Sequence, residues 1–203
     1  MAREPKNFDH LLGGNAKGLS DTQLKAHFTL YQGYVKKLNE IREKLSSADK
    51  GAPNYSFNEF SELKRREPVA YNGTVLHELY FENIGNGSTQ PDDNAKSLIT
   101  TSFGSVDNWL ADVKAGLASA HGWVVTVFDY SEGKLYNNLI RTEHDVGLFA
   151  NVHAMIAIDA WEHAYFFDYQ TKKADYVASV LSGLNWQAIN SRFAQVGKAA
   201  SAV

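Results

Sequence analysis

The sequence predicts an α+β fold: an N-terminal antiparallel helical hairpin followed by a C-terminal domain that mixes helices with strands. Long helical patterns of apolar residues fill residues 20–46 and 56–83. The segment 84–94, IGNGSTQPDDN, concentrates Gly, Asn, Asp, Ser and Pro, which is typical of a loop between structural units. Strand-like patterns begin only after it. We therefore predict one domain over residues 1–90 and a second over 91–203.

The first two helices are predicted from their start signals and apolar spacing. Ser20 and Gln23 form a capping box, and the apolar residues that follow recur at helical spacing. A second capping box, Ser56 to Glu59, opens another helical pattern. This pattern pauses at Pro68 and has Gly85 as its expected C-cap. Two long helices joined by a polar turn indicate an antiparallel hairpin.

The second half of the chain reads as helices and strands. WVVTVFDY (123–130) and KLYNNLIRT (134–142) are typical of two strands that form a hairpin across the turn SEGK. The apolar run at 149–158 predicts a third, buried strand. Helical patterns cover about residues 94–102, 105–120 and 174–196. This half is therefore expected to carry the sheet.

Composition excludes several classes of function. The 203 residues, 44% of them hydrophobic, are enough to bury a core. A net charge of -3 gives no basic stripe for nucleic acid, and the chain has no run of about 18 apolar residues for a membrane. The first ten residues are polar without a hydrophobic signal core, so we expect a cytoplasmic protein. With no cysteine, any metal must be bound by His, Asp or Glu.

The stretch DAWEHAY, residues 159–165, carries three ionisable groups directly after the third predicted strand. If the chain turns helical there, Asp159 and His163 are four residues apart on one face and could bind one metal ion. A cation would also offset the cost of burying the Asp159 carboxylate. The alternative is that Asp159 caps the helix while Glu162 and His163 pair at the surface.

Two more histidines lie in apolar surroundings, one on each helix of the predicted hairpin. They are His27 and His77. Each alone is more often a hydrogen-bonded core residue than a ligand. An antiparallel hairpin can bring them together, and Asp159 with His163 would complete a set of three His and one Asp. Such a set suits iron, manganese or zinc, and the spacing does not choose among them.

Several stretches together closely resemble the iron/manganese superoxide dismutase family, in order and over nearly the whole chain. They are GYVKKLN (33–39), LHELYFEN (76–83), DAWEHAY (159–165) and NWQAINSRF (185–193). The resemblance implies a three-stranded antiparallel sheet in the second domain and one redox metal between the domains. It implies the ligands His27, His77, Asp159 and His163. It also implies conversion of superoxide to oxygen and hydrogen peroxide, with protons delivered through Tyr34 and His144.

One departure from the family concerns the residue that binds the metal-bound solvent. Iron-type members place a Gln four residues before the second ligand, where this chain has Gly73. Some members instead use a His fifteen residues before the ligand Asp, and here that residue is His144. We predict that His144 takes this role. The alternative is an exposed loop histidine beside Glu143 and Asp145.

A second departure shortens the first helix. The family usually has eight residues from the ligand His to the gateway Tyr, whereas His27 and Tyr34 are seven apart. In a regular α-helix seven residues turn through about 700°, which places both side chains on one face. Eight residues would need a wide turn to do so. We therefore predict that this helix has no π-type turn between them.

The resemblance also implies a homodimer with an altered contact. Family members commonly join subunits through a His on the first helix and the second Tyr of EHAYY. Here the helix offers Leu30 or Tyr31, and Phe166 replaces the tyrosine. Glu162 remains, and in the family this Glu reaches the ligand His of the other subunit. Three aromatic residues match walls of the family's metal cavity, although core packing explains them equally well: Tyr80, Trp123 and Trp161.

The cofactor expected from the resemblance is one iron or manganese ion per subunit. Gly73 differs from the usual iron-type arrangement, His144 resembles members that use iron or either metal, and Ala157 is neither the Gly nor the Thr common there. We favour iron. Two alternatives use the same ligands: a metal-dependent hydrolase, which would need a spare carboxylate as general base, and a non-catalytic metal-binding relative.

Overall fold

The computed structural model describes residues 2–200 and confirms the predicted α+β class. Within that range the helices are α1 Asp21–Ser47, α2 Glu59–Asn83, α3 Asp93–Phe103, α4 Val106–Ser119, α5 Phe166–Tyr169, α6 Lys173–Ser182 and α7 Trp186–Ala200. The strands are β1 Gly122–Asp129, β2 Lys134–Arg141 and β3 Val152–Asp159. The division at residue 90 stays a prediction. None of the helices described is both long and apolar enough to cross a membrane.

Helices α1 and α2 pack side by side in opposite directions. Contacts between them pair residues in reverse order: Phe28 with Phe81, Tyr34 with His77 and Arg42 with Glu67. The N-terminal segment ties onto the pair, since Arg3 and Lys6 both form salt bridges with Glu78. The hairpin predicted from the sequence is therefore present.

The predicted start of α1 is correct, because the Ser20 side chain accepts a hydrogen bond from Gln23 N at 3.1 Å. The predicted start of α2 is wrong. Its N-cap is Asn58, which accepts from Ser61 N, and Ser56 lies outside the helix. Asn is among the strongest N-cap residues, so the helix begins two residues later than predicted, after Asn58.

Two further details of α2 differ from the sequence-based expectation. The helix continues through Pro68 without a pause, where α1 packs along it. Its C-cap is Ile84, not Gly85. Gly85 N instead donates to Gly183 O at 2.7 Å, and a Cβ on Gly85 would lie 3.2 Å from the Cβ of Asn185. The glycine thus allows two chain segments to approach each other.

The sheet has the strand order β2-β1-β3, with both pairs antiparallel. The central strand β1 is buried along nearly its whole length, as a strand covered on both faces should be. In the register of β1 with β3, Trp123 lies opposite Asp159. The end of the sheet thereby places Asp159, the last residue of β3, beside the first turns of α1 and the last turns of α2.

The long helical pattern predicted for residues 174–196 is two helices, α6 and α7. The break between them lets Leu184 form an isolated bridge with Ile84, and Asn185 N donates to Asn83 O at 2.8 Å. These backbone hydrogen bonds replace the ones that a continuous helix would have made. Contacts of α2 and α7 with β3 complete the core around the sheet.

Candidate metal centre

Four side chains from four separate elements converge at the junction of the hairpin and the sheet. They are His27 on α1, His77 on α2, Asp159 at the end of β3 and His163 in the 3-10 turn Glu162–Ala164. One ligand atom from each lies within 4.8 Å of all the others. Asp159 Oδ2 is 3.2 Å from His27 Nε2, 3.2 Å from His163 Nε2 and 3.8 Å from His77 Nε2. The four therefore form a potential metal site.

Asp159 and His163 meet in a different way from the predicted shared helix face. Asp159 is the last residue of a strand, and a 3-10 turn rather than an α-helix then brings His163 back towards it. Asp159 Oδ1 accepts a hydrogen bond from Trp161 N at 2.8 Å, which stabilises the turn. The carboxylate thus binds the backbone just before the turn with Oδ1 and faces the histidines with Oδ2. His163 faces Asp159, so the surface pairing of Glu162 with His163 is not what forms.

The donor set fits a metal ion. His27 Nε2 and His77 Nε2 are buried without a hydrogen-bond partner, an arrangement that is costly unless something else binds them. His77 Nδ1 donates to the carbonyl oxygen of Gly73, so the lone pair of its neutral ring is on Nε2. Burial lowers the pKa of His27 and lowers that of His77 well below its ordinary value. Both rings are therefore neutral and available as ligands near neutral pH.

The Asp159 carboxylate is fully buried. Burial opposes its ionisation, but the neighbouring His163 imidazole favours the charged form and the pKa of Asp159 lies below its ordinary value. The Asp159 backbone carbonyl accepts from the Tyr176 hydroxyl at 2.7 Å, and that hydroxyl lies 3.1 Å from the hydroxyl of Tyr80. Asp159, the only carboxylate among the four groups, is thus fixed in position by hydrogen bonds to its backbone and its side chain.

A residue that the sequence reading missed as part of the site fixes the turn that carries His163. Gln23 is completely buried, donates through Nε2 to His163 O at 2.6 Å and accepts from Phe167 N at 3.1 Å. By sequence, Gln23 is recognisable only as part of a capping box. Tyr176 was missed as well. Neither has a local sequence signal, because both act through contacts with residues about 20 to 140 positions away.

A second layer of hydrogen bonds lies beside the four ligands. Trp123 Nε1 donates to His144 Nδ1 at 2.7 Å, and His144 Nε2 lies 2.7 Å from the Tyr34 hydroxyl. Because an indole N–H can only donate, the neutral His144 ring carries its hydrogen on Nε2 and donates it to Tyr34. Burial lowers the pKa of His144, which favours this neutral form. His144 is 3% exposed, so the alternative of an exposed loop histidine is wrong.

The position of Tyr34 follows from the regularity of α1. The helix is α-helical from Asp21 to Ser47, so the predicted absence of a π-type turn agrees with the structure. The Tyr34 ring lies 5.3 Å from the His77 ring and 5.0 Å from the His144 ring, between centroids. The tyrosine is partly exposed. It therefore stands between solvent and the metal site.

Gly73 leaves the space that the Tyr34 ring fills. A Cβ atom on Gly73 would lie 2.5 Å from Cδ1 and 2.8 Å from Cγ of that ring, well inside van der Waals contact. A larger residue at this position is therefore incompatible with the observed tyrosine. Gly73, which departs from the iron-type pattern, leaves room for the Tyr34 ring, and the hydroxyl of that ring contacts His144.

Three aromatic residues lie beside the cluster. Trp123 meets His77 edge to face at 4.9 Å, Trp161 is nearly parallel to His163 at 6.3 Å, and Tyr80 lies 5.3 Å from His27, between ring centroids. Glu162 is exposed. The site is thus closed by apolar surface except near Tyr34 and His163, whose side chain is 31% exposed.

Comparison with known proteins links the chain to one family. Residues 91–192 match the family described as iron/manganese superoxide dismutases, C-terminal domain. The chain is 37% identical to a superoxide dismutase [Fe] of Aquifex pyrophilus, over 98% of this chain and 95% of that protein. It is 36% identical to a superoxide dismutase [Fe] of Cupriavidus metallidurans over 87% and 89%. It is 31% identical to superoxide dismutase [Mn] 2 of Haloferax volcanii over 83% of each chain.

Proposed function

The chain belongs to the iron/manganese superoxide dismutase family, and we propose that it converts superoxide to oxygen and hydrogen peroxide at one redox metal ion. His27, His77, Asp159 and His163 would hold the ion. The observation that carries this proposal is the pair of buried, unpartnered nitrogens His27 Nε2 and His77 Nε2, which face an ionised buried carboxylate. Iron or manganese, when bound, would supply the one-electron chemistry by alternating between two oxidation states.

Tyr34 and His144 would deliver to the metal site the protons that the reaction consumes. Burial raises the pKa of Tyr34, so its hydroxyl stays protonated near neutral pH. Because His144 donates to the Tyr34 oxygen, the tyrosine's own hydrogen is free to point elsewhere, including towards the metal site. A protonated, partly exposed hydroxyl between solvent and the ligands is suited to passing protons inwards.

The structure offers less support for the two alternatives. A metal-dependent hydrolase would use a carboxylate as general base beside the ion. Asp159 is already taken as a ligand in the described cluster, and Glu162 is exposed. A non-catalytic relative would have no need for the hydrogen-bonded series of Trp123, His144 and Tyr34. The dismutase is therefore the function we propose.

Metal analysis of the purified protein, combined with a superoxide-consumption assay, separates these functions. A dismutase will contain about one iron or manganese ion per chain and will consume superoxide. Metal without consumption would indicate the non-catalytic relative. Hydrolysis of ester or phosphoester substrates without superoxide consumption would indicate the hydrolase.

We propose iron as the resident metal. Two relatives named superoxide dismutase [Fe] are 37% and 36% identical over 98% of this chain, whereas superoxide dismutases [Mn] 1 and 2 of Haloferax volcanii are 31% identical over 83% of it. The test is to load the metal-free protein separately with iron and with manganese. Higher superoxide turnover per bound manganese ion than per bound iron ion would overturn this proposal.

We also propose a homodimer that covers the surface around His163. This ligand is 31% exposed in the single chain, and the neighbouring Phe166 and Phe167 are 52% and 65% exposed. A second subunit would bury these rings and bring its Glu162 to the surface next to His163. Sedimentation of the wild-type protein should show a dimer, and Glu162→Ala should weaken it. Glu43→Ala, an exposed glutamate on α1, is the control. An active wild-type monomer would contradict the proposal.

The cytoplasmic location and the division into residues 1–90 and 91–203 remain predictions. Cell fractionation tests the first. Limited proteolysis tests the second, because cleavage in segment 84–94 should release two compact fragments.

A further inference from the structure

The turn that carries His144 adopts an unusual backbone conformation. Thr142, Glu143 and His144 have φ angles of 21°, 55° and 67°. Residues with a side chain rarely adopt positive φ, and a β-branched residue such as Thr142 does so least readily. Such a conformation persists only where surrounding contacts hold it. The contacts at this turn therefore decide how the His144 ring is aimed.

Helix α2 supplies two of those contacts. Asn72 Nδ2 donates to the backbone carbonyl of His144 at 2.8 Å, and Arg66 forms a 2.7 Å salt bridge with Glu143. The Arg66 and Glu143 side chains are 57% and 59% exposed, so this ion pair contributes little. Asn72 is partly buried and contacts His144 itself. Of the two, the Asn72 hydrogen bond is the one placed to fix the histidine.

Fixing the carbonyl of His144 also fixes the direction of its side chain. The ring must meet Trp123 Nε1 on one side and the Tyr34 hydroxyl on the other, each at 2.7 Å. A left-handed turn that relaxed would swing the Cα–Cβ bond and break at least one of these hydrogen bonds. The neighbouring residue Gly73 makes room for the Tyr34 ring. Asn72 and Gly73, adjacent residues of α2, thus position His144 and Tyr34 respectively.

We propose that Asn72 is a positioning residue for the reaction: its side-chain amide holds the strained turn so that the His144 ring faces Tyr34. The inference rests on the proposed function, since it assigns a purpose to the orientation of His144. The competing explanation is that Asn72 stabilises only the fold. The two differ in whether the effect of removing Asn72 passes through the His144 ring.

The test compares Asn72→Leu with a matched control, Asn190→Leu, in the metal-loaded full chain. Asn190 Nδ2 also donates to a backbone carbonyl, that of Gln90 at 3.1 Å, and it is partly buried as well. We measure the melting temperature, superoxide turnover and the midpoint potential of the bound metal. Both variants should lose some thermal stability. Only Asn72→Leu should shift the potential and lower turnover, on the order of tenfold, the lower end of what loss of an outer-layer contact costs at metal sites.

A double-mutant cycle with His144→Ala then decides how Asn72 acts. If Asn72 works through the His144 ring, Asn72→Leu should change the potential in the His144→Ala background by less than about half of its change in the wild type. A change that persists at about half or more would overturn the proposal. If Asn72→Leu does not fold, Asn72→Asp replaces it, because Asp has the same shape and lacks the N–H donor.

The midpoint potential of the bound metal also distinguishes failure of this inference from failure of the proposed function. It is measured by redox titration and needs no superoxide. A wild-type protein that binds metal but consumes no superoxide would end the proposed function, while the double-mutant cycle would still report whether Asn72 positions His144. Turnover that is normal in Asn72→Leu, with an unchanged potential, would end the inference alone.

Discussion

His144 Nε2 lies 2.7 Å from the hydroxyl oxygen of Tyr34, and this contact joins the turn after β2 to the first helix of the hairpin. It links the half of the chain that carries the sheet to the half that carries His27 and His77. Because Trp123 occupies the other ring nitrogen of His144, the direction of the hydrogen bond is fixed from histidine to tyrosine. Most of the predictions below depend on this contact.

Replacing His144 with Ala should lower superoxide turnover by roughly 10- to 100-fold and shift the midpoint potential of the bound metal. The physical reason is that Tyr34 loses its donor and Trp123 loses its acceptor. Steady-state superoxide assays and redox titration measure the two effects. The control is His153→Ala, a histidine on β3 that has no contact with the cluster's ligands in the described contacts. Turnover and potential both unchanged in His144→Ala would show that the assignment is wrong.

Tyr34→Phe should lower turnover while leaving the fold almost intact. The phenyl ring still fills the space above Gly73, and only the hydroxyl that accepts from His144 is lost. The free energy of unfolding should fall by no more than about 1.5 kcal/mol, the usual net value of one hydrogen bond. Urea unfolding and turnover are measured beside Tyr71→Phe, an exposed tyrosine on α2. Full turnover in Tyr34→Phe would exclude a role for the hydroxyl.

Gly73→Ala should reduce both stability and activity, although alanine normally favours a helix. Its Cβ would overlap the Tyr34 ring, and overpacking of this kind typically costs about 1–3 kcal/mol. Gly33→Ala on α1 is the matched control because a Cβ there meets nothing within 4 Å. That variant should gain up to about 1 kcal/mol. Equal stability changes in the two variants, measured by urea unfolding, would contradict the close packing described for Tyr34.

The metal-free protein should become less stable as the pH falls below about 6.5, the ordinary pKa of histidine. Burial lowers the pKa values of His27 and His77 in the folded state, so the unfolded chain binds protons more readily in this range. Stability therefore decreases with falling pH, by at most about 1.4 kcal/mol per pH unit for each histidine. Urea unfolding across this range is the measurement. Stability that rises as the pH falls would show that the two rings are not buried as neutral groups.

Much of the fold was predictable because the signals are local. The helical spacing in α1 follows from apolar periodicity, and β1 and β2 follow from runs of β-branched and aromatic residues on either side of a short turn. The errors were local as well. Asn58, not Ser56, is the N-cap of α2. Gly85 does not end that helix but allows the chain to approach Asn185 closely. The sequence pattern alone places a helix end only to within a few residues.

The metal ligands could be proposed from sequence because histidines in apolar surroundings are unusual and the DAWEHAY stretch is distinctive. The way in which Asp159 and His163 meet could not, since a separation of four residues does not distinguish an α-helix from a strand end followed by a 3-10 turn. Gln23, Asn72 and Tyr176 were also missed. Their hydrogen bonds join distant parts of the chain to the site's backbone, and no local pattern reports such contacts.

The most direct test of the central claim is the rate of superoxide consumption, measured by stopped flow, as metal-free protein is loaded with increasing amounts of iron or manganese. The rate should rise in proportion to bound metal and level off at about one ion per chain. Asp159→Ala, which removes the only carboxylate among the four ligands, should neither retain the metal nor consume superoxide. A rate that is independent of bound metal, or one that survives in Asp159→Ala, would contradict the central claim.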